Sequence, residues 1–140
     1  MQLKTIHDIQ MGDKASFSKT VSESDVYLFA GITGDVNPAH VDAEYAKGTF
    51  FKHRVAHGVL SMGFISTVLG MYLPGPGTIL LKIEARFTSP VYFGDTVTTE
   101  AEVIEKDLDK NRVRVKTVCR NQEGKIVVDG EALVSPYVKK

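Results

Sequence analysis

A chain of 140 residues with 43% apolar and 24% charged side chains has the size and composition of one folded domain spanning residues 1–140, and neither disorder nor a membrane-embedded protein is expected. Lysine plus arginine and aspartate plus glutamate number 17 each, so no basic excess points to nucleic acid as a partner. Cys119 is the only cysteine, which rules out a disulfide framework within the chain and makes the reducing cytoplasm the expected compartment.

The opening "MQLKTIHDIQMGDK" lacks a continuous apolar run, so no secretory signal is expected there. "ASFSKTVS" (residues 15–22) alternates as a first strand. Ser22 with Asp25 has the pattern of a capping box. Val26, Phe29 and Ala30 then follow at helical spacing, predicting a short helix that ends near Gly31. Asn37-Pro38 interrupts any helix, because proline offers no amide hydrogen and drives the preceding residue toward extended geometry. Asp42 is placed to cap another short helix, stopped at Gly48.

"HGVLSMGFISTVLGMYL" (residues 57–73) is a helix with no charged face, so it must be enclosed on most sides. Gly63 and Gly70 cost it roughly 1 kcal/mol each relative to alanine, which predicts a close packing partner at each. No charge occurs from Gly58 to Leu81, yet "PGPG" breaks the apolar run after about 15 residues, where a membrane-spanning helix needs about 20. No membrane association is expected.

"ILLKIEARF" alternates, with Leu81, Ile83, Ala85 and Phe87 predicted inward. "TVTTEAEVIEKD" continues with Val97, Thr99, Ala101 and Val103, and "RVRVKTVCR" with Val113, Val115, Thr117 and Cys119. "NQEGK" is a hairpin turn into the last strand, "IVVDGEALVS". A curved antiparallel sheet wrapped around one buried helix is an α+β hot-dog fold. Its open edges predict a homodimer.

Chemistry concentrates in "GDVNPAH" (residues 34–40). Asp35 and His40 cannot meet by helical spacing with Pro38 between them, but an Asx-type turn at Asn37 brings them together. A carboxylate beside an imidazole over one water is an acid-base pair suited to adding water across an activated double bond. Gly58, opening the apolar helix, offers an amide without an intrahelical partner, suited to an oxyanion. His57 is expected to order the loop before that helix rather than to react. His40, His53 and His57 with Asp35 show no HxxxH or HExxH spacing, so no metal is expected.

"FAGITGDVNPAHVDAEYA", "VAHGVL" and "RFTSPVYFGD" together resemble the MaoC-like (R)-specific enoyl-CoA hydratases, over nearly the whole chain. The resemblance implies reversible hydration of trans-2-enoyl thioesters, with Asp35 and His40 as the catalytic pair and the Gly58 amide on the thioester oxygen. It implies no cofactor beyond the coenzyme A of the substrate. A serine can follow on the buried helix in this family; here Ser61 is close by and Gly63 holds the matching place, so neither is carried over. Two rivals use the same residues or fold, a 3-hydroxyacyl-carrier-protein dehydratase and a non-catalytic acyl-thioester-binding protein. Thioester hydrolysis, also a hot-dog activity, is disfavoured, because it would require water aimed at the carbonyl carbon and the Asp-x-Asn-Pro-x-His turn does not resemble that design. Lys52, His53 and Arg54 either meet coenzyme A phosphates or form a solvated loop. Tyr92 and Phe93 either line the acyl tunnel or fill the dimer seam, and Arg86 is a sheet-surface residue.

Overall fold

The computed structural model describes residues 1–140. A short 3-10 turn at Ile6–Asp8 precedes β1 (Lys14–Thr20), α1 (Glu23–Thr33), α2 (Pro38–Val41), α3 (Ala43–Lys47) and α4 (Gly58–Met71). Four strands follow: β2 (Ile79–Phe87), β3 (Thr96–Asp107), β4 (Arg112–Arg120) and β5 (Ile126–Ser135). All five strands form one antiparallel sheet in the order β1-β3-β4-β5-β2, and α4 packs against every one of them. This is the expected α+β hot-dog arrangement.

The period-two pattern explains the packing. Thr99 pairs with Cys119, Ala101 with Thr117 and Val103 with Val115, and all six are buried on the face that meets α4. From the helix, Phe64, Ile65, Val68 and Leu69 enter the same core, which also takes in Val113, Val127, Val128 and Val134. Each fully buried aliphatic of this kind contributes about 1.5–3 kcal/mol relative to exposure, so the Ile65, Val68 and Leu69 row fixes the helix on the sheet. Gly130 is a steric requirement. A Cβ there would overlap the Glu84 backbone carbonyl of the neighbouring strand, and a paired backbone cannot step aside.

Two expectations are corrected. The helix is enclosed on one side only: Gly58, Val59, Gly63, Ser66 and Met71 are exposed, and a Cβ at Gly63 or Gly70 would meet nothing within 4 Å. No packing partner for those glycines exists within the chain. The inward face predicted for β2 holds at Ile83 and Ala85, which pack against the core, and at Phe87, whose half-exposed ring lies against the start of α4, but fails at Leu81, which is exposed. A register shift between Leu80 and Lys82 displaces Leu81, and β2 is a sheet edge with a neighbour on one side only. α1 also runs past Gly31 to Thr33, ending where Gly34 takes a left-handed conformation and returns its amide to the Ala30 carbonyl.

Candidate active site

The segment after α1 is a chain of small side-chain turns. The Asp35 amide donates to Thr33 Oγ1 at 3.2 Å, the Asn37 amide to Asp35 Oδ1 at 3.2 Å, and the Ala39 amide to Asn37 Oδ1 at 3.1 Å. Asn37 thereby caps α2, and Pro38 takes the first helical position, where a missing amide hydrogen leaves nothing unsatisfied. These turns reverse the chain over six residues and bring Asp35 and His40 to the same place.

His40 Nδ1 lies 2.7 Å from the Val55 carbonyl. A carbonyl can only accept, so Nδ1 carries the hydrogen and Nε2 presents a lone pair. His57 is 2% exposed, and its Nε2 donates to the Asp35 carbonyl at 2.9 Å, with Asp35 Oδ2 at 3.9 Å. The two imidazoles stack with centroids 3.8 Å apart and planes inclined by 29°. Phe29 covers His57 at 4.7 Å, leaving His57 Nδ1 buried without a partner. One donor atom each from Asp35, His40 and His57 lies within 4.8 Å of the others. That set is poorly disposed to hold a cation. His57 Nε2 commits its hydrogen to a carbonyl, and stacked rings do not aim lone pairs at one centre.

A cleft of about 630 Å³ opens beside His40. Phe51, Val91, Val127 and Val128 give it apolar walls, while Asn37, His40, Ser61 and Ser89 supply its polar groups. Gly58 lies in the same wall as the first residue of α4, and no acceptor in the chain takes its amide hydrogen. A Cβ at Gly58 would come within 2.7 Å of the Phe87 ring. Any larger residue at position 58 must therefore displace the Phe87 ring that lies against the helix start, a contact between residues 29 positions apart that no local pattern predicts.

Asn37, His40 and Gly58 thus line one cleft, with Pro38 next to Asn37 in the turn, while Asp35 and buried His57 lie close to His40 outside that lining, Asp35 with 53% of its side chain exposed. Ser61 is buried and reaches the cleft wall, whereas exposed Gly63 does not line it. Tyr92 and Phe93 line a separate cleft with Lys52, His53 and Arg54, so they do not wall the apolar one. Arg86 is on the exposed outer surface of the sheet. Phe50, Phe51 and Phe87 were not singled out by sequence reasoning. Two sit in an irregular loop without periodicity, and the third was assigned to the core by its alternation.

Fold and site together define a hot-dog protein with an imidazole and a free helix-start amide lining an apolar cleft, and with a carboxylate and a second imidazole close beside the first. A family model described as "MaoC like domain" matches residues 6–124, and the chain belongs to that family. It is 51% identical over 132 residues to an (R)-specific enoyl-CoA hydratase from Rhodospirillum rubrum, covering 94% of this chain and 91% of the relative. The R-hydratase PhaJ1 from Pseudomonas aeruginosa, solved in the unliganded form, superposes with a TM-score of 0.91 at 48% identity, over 96% of this chain and 86% of that one. The (R)-hydratase from A. caviae involved in PHA biosynthesis superposes with a TM-score of 0.88 at 38% identity, over 91% and 97% of the two chains.

Proposed function

We propose that this chain is an (R)-specific enoyl-CoA hydratase, catalysing reversible syn addition of water to trans-2-enoyl-CoA to give (R)-3-hydroxyacyl-CoA. The observation that carries the reading is that His40 and the free Gly58 amide line one apolar cleft, with an Asp35 carboxylate oxygen within 4.8 Å of a His40 ring nitrogen. Asp35 and the bare Nε2 of His40 accept the two hydrogens of one water. As the water oxygen bonds to C3, the π pair moves to C2 and the thioester oxygen becomes negative, where the Gly58 amide stabilises it. Asp35 acts as base toward the water, and the proton drawn off is relayed through His40 Nε2 to C2. One water hydrogen thus ends on C2, the other stays in the new hydroxyl, and both side chains return to their starting state. Hydroxyl and proton then arrive on one face, and no cofactor is consumed.

His57, Asn37 and Pro38 shape the site: the first ties the Asp35 carbonyl, and the others set the turn. The open face of α4 and the edge of β2 support a homodimer, since both carry exposed apolar side chains, among them Val59, Met71, Ile79 and Phe87. No helix is long and apolar enough to cross a membrane. The lone buried thiol of Cys119 supports a cytoplasmic placement.

The test is hydration of crotonyl-CoA, followed as loss of enoyl absorbance with chiral analysis of the product. The expected result is turnover to the (R) product. Asp35→Asn and His40→Ala are each expected to lower kcat by at least about a hundredfold with folding retained. An (S) product, or full activity in either variant, removes the assignment.

A further inference from the structure

A second cleft, of about 390 Å³, is lined from the same two stretches of chain as the apolar one, residues 52–54 lying between Phe51 and Val55, and residues 92–93 following Val91. Lys47, Lys52, His53 and Arg54 line it with the rings of Tyr92 and Phe93, and no carboxylate does. In a chain whose charges balance overall, that is a local concentration of cations. Arg54 is fixed in place. Its guanidinium meets Glu23 at 2.8 Å and the Tyr27 hydroxyl at 2.5 Å, and it lies 4.8 Å from the centroid of the Phe93 ring. Lys52 has no ion-pair partner, and its backbone is held at φ 66, in the left-handed region. Lys47 pairs with Glu44 only at the surface, where both side chains are mostly exposed and a dianion competes readily.

The two shared stretches brace each other. Val55 bridges to Tyr92, and the Tyr92 hydroxyl donates to the Phe51 carbonyl at 3.0 Å. Phe51 and Val55 face the apolar cleft, while Lys52, His53 and Arg54, between them in sequence, face the cationic one. Val55 is three positions beyond Lys52, so their Cα atoms are at most about 11 Å apart. The pantetheine arm of coenzyme A exceeds that span.

We infer that the Lys47–Lys52–His53–Arg54 cleft binds the phosphates of coenzyme A while the thioester occupies the site at His40 and Gly58. The inference rests on the proposed hydratase reading for the position of the thioester, but the cleft can be tested without turnover. Calorimetry would compare binding of coenzyme A and of pantetheine to the wild-type protein and to the Lys47→Gln/Lys52→Gln double variant, neither lysine being in the acid-base site. Expected are at least about tenfold weaker coenzyme A binding in the variant and pantetheine binding that does not change between the two proteins. The KM for crotonyl-CoA should rise by a similar factor with kcat unchanged, and values for crotonyl-pantetheine should stay the same.

Unchanged coenzyme A binding, or equal weakening of both ligands, overturns the inference. So does a selective loss with a crotonylated acidic carrier protein but not with crotonyl-CoA, which would make the patch a protein-docking surface. Selective loss of coenzyme A binding in a protein that hydrates nothing would uphold the cleft while removing the hydratase reading. Undiminished crotonyl-CoA kinetics in a variant that still hydrates would do the reverse.

Discussion

The imidazole of His57 lies flat against that of His40, centroids 3.8 Å apart, while its Nε2–H holds the Asp35 carbonyl at 2.9 Å. One buried side chain therefore touches both Asp35 and His40, the pair proposed for the acid-base chemistry, while itself lying outside the lining of the apolar cleft. Its task is to fix the distance between them. Replacing it with phenylalanine keeps the stack and removes the donor, leaving the Asp35 carbonyl unpaired at a cost of about 1–3 kcal/mol. His57→Phe should lower kcat roughly ten- to a hundredfold with KM little changed, measured on crotonyl-CoA. A loss in KM alone would show that His57 contacts substrate instead.

Phe87 and Gly58 make a second prediction. With the ring 2.7 Å from any Cβ at position 58, Gly58→Ala must push Phe87 away or shift the helix start that carries the amide. Overpacking of this kind costs about 1–3 kcal/mol, and the moved amide should lower kcat at least about tenfold. Gly58→Ala combined with Phe87→Ala frees the space and should recover thermal stability relative to Gly58→Ala alone. No recovery in melting temperature would place the fault elsewhere than the ring.

The elements legible in sequence were those whose cause is local. Ser22 and Asp25 form the reciprocal cap at the start of α1, Asp42 and Gly48 bound α3, and β3 and β4 bury the residues their alternation selects. The Asn37 turn was legible because an Asx side chain followed by proline has few conformations. What the sequence could not give depends on neighbours remote in the chain. Leu81 alternates correctly but sits at a register shift, Phe87 points inward as its alternation predicts but meets the start of α4 at the cleft and not the closed core, and Gly63 predicts a contact that the chain does not make. The stacking of His40 on His57 likewise joins residues 17 positions apart, a distance about which periodicity carries no information.

The cap of α1 carries a pH dependence. Asp25 is held below the usual aspartate value, first by the hydrogen bond from Lys19 at 2.7 Å and then by the Ser22 amide at 2.9 Å. A carboxyl depressed in the folded state stabilises the protein fully above its unfolded pKa, and that stability is lost as pH falls through the lower folded value. Asp25→Asn should therefore destabilise by about 0.5–1 kcal/mol at pH 7, the modest size reflecting partial exposure to solvent. The gap from wild type in urea unfolding should narrow once pH drops below about 4, near the unfolded aspartate pKa. A gap that stays constant from pH 7 to pH 3 would mean that the carboxylate is not its source.

Association can be separated from folding at Gly63. Nothing in the chain lies within 4 Å of a Cβ at that position, so Gly63→Arg imposes no clash on the isolated fold, and arginine favours a helix over glycine by nearly 1 kcal/mol. The same guanidinium stands in the middle of the open face that runs from Val59 to Met71, where a second copy would have to desolvate it. Wild-type protein should sediment at twice the chain mass, and Gly63→Arg at the mass of one chain with an unchanged far-ultraviolet spectrum. Wild-type protein at the mass of one chain, or a variant still sedimenting as a dimer, would show that two copies do not meet along this helix.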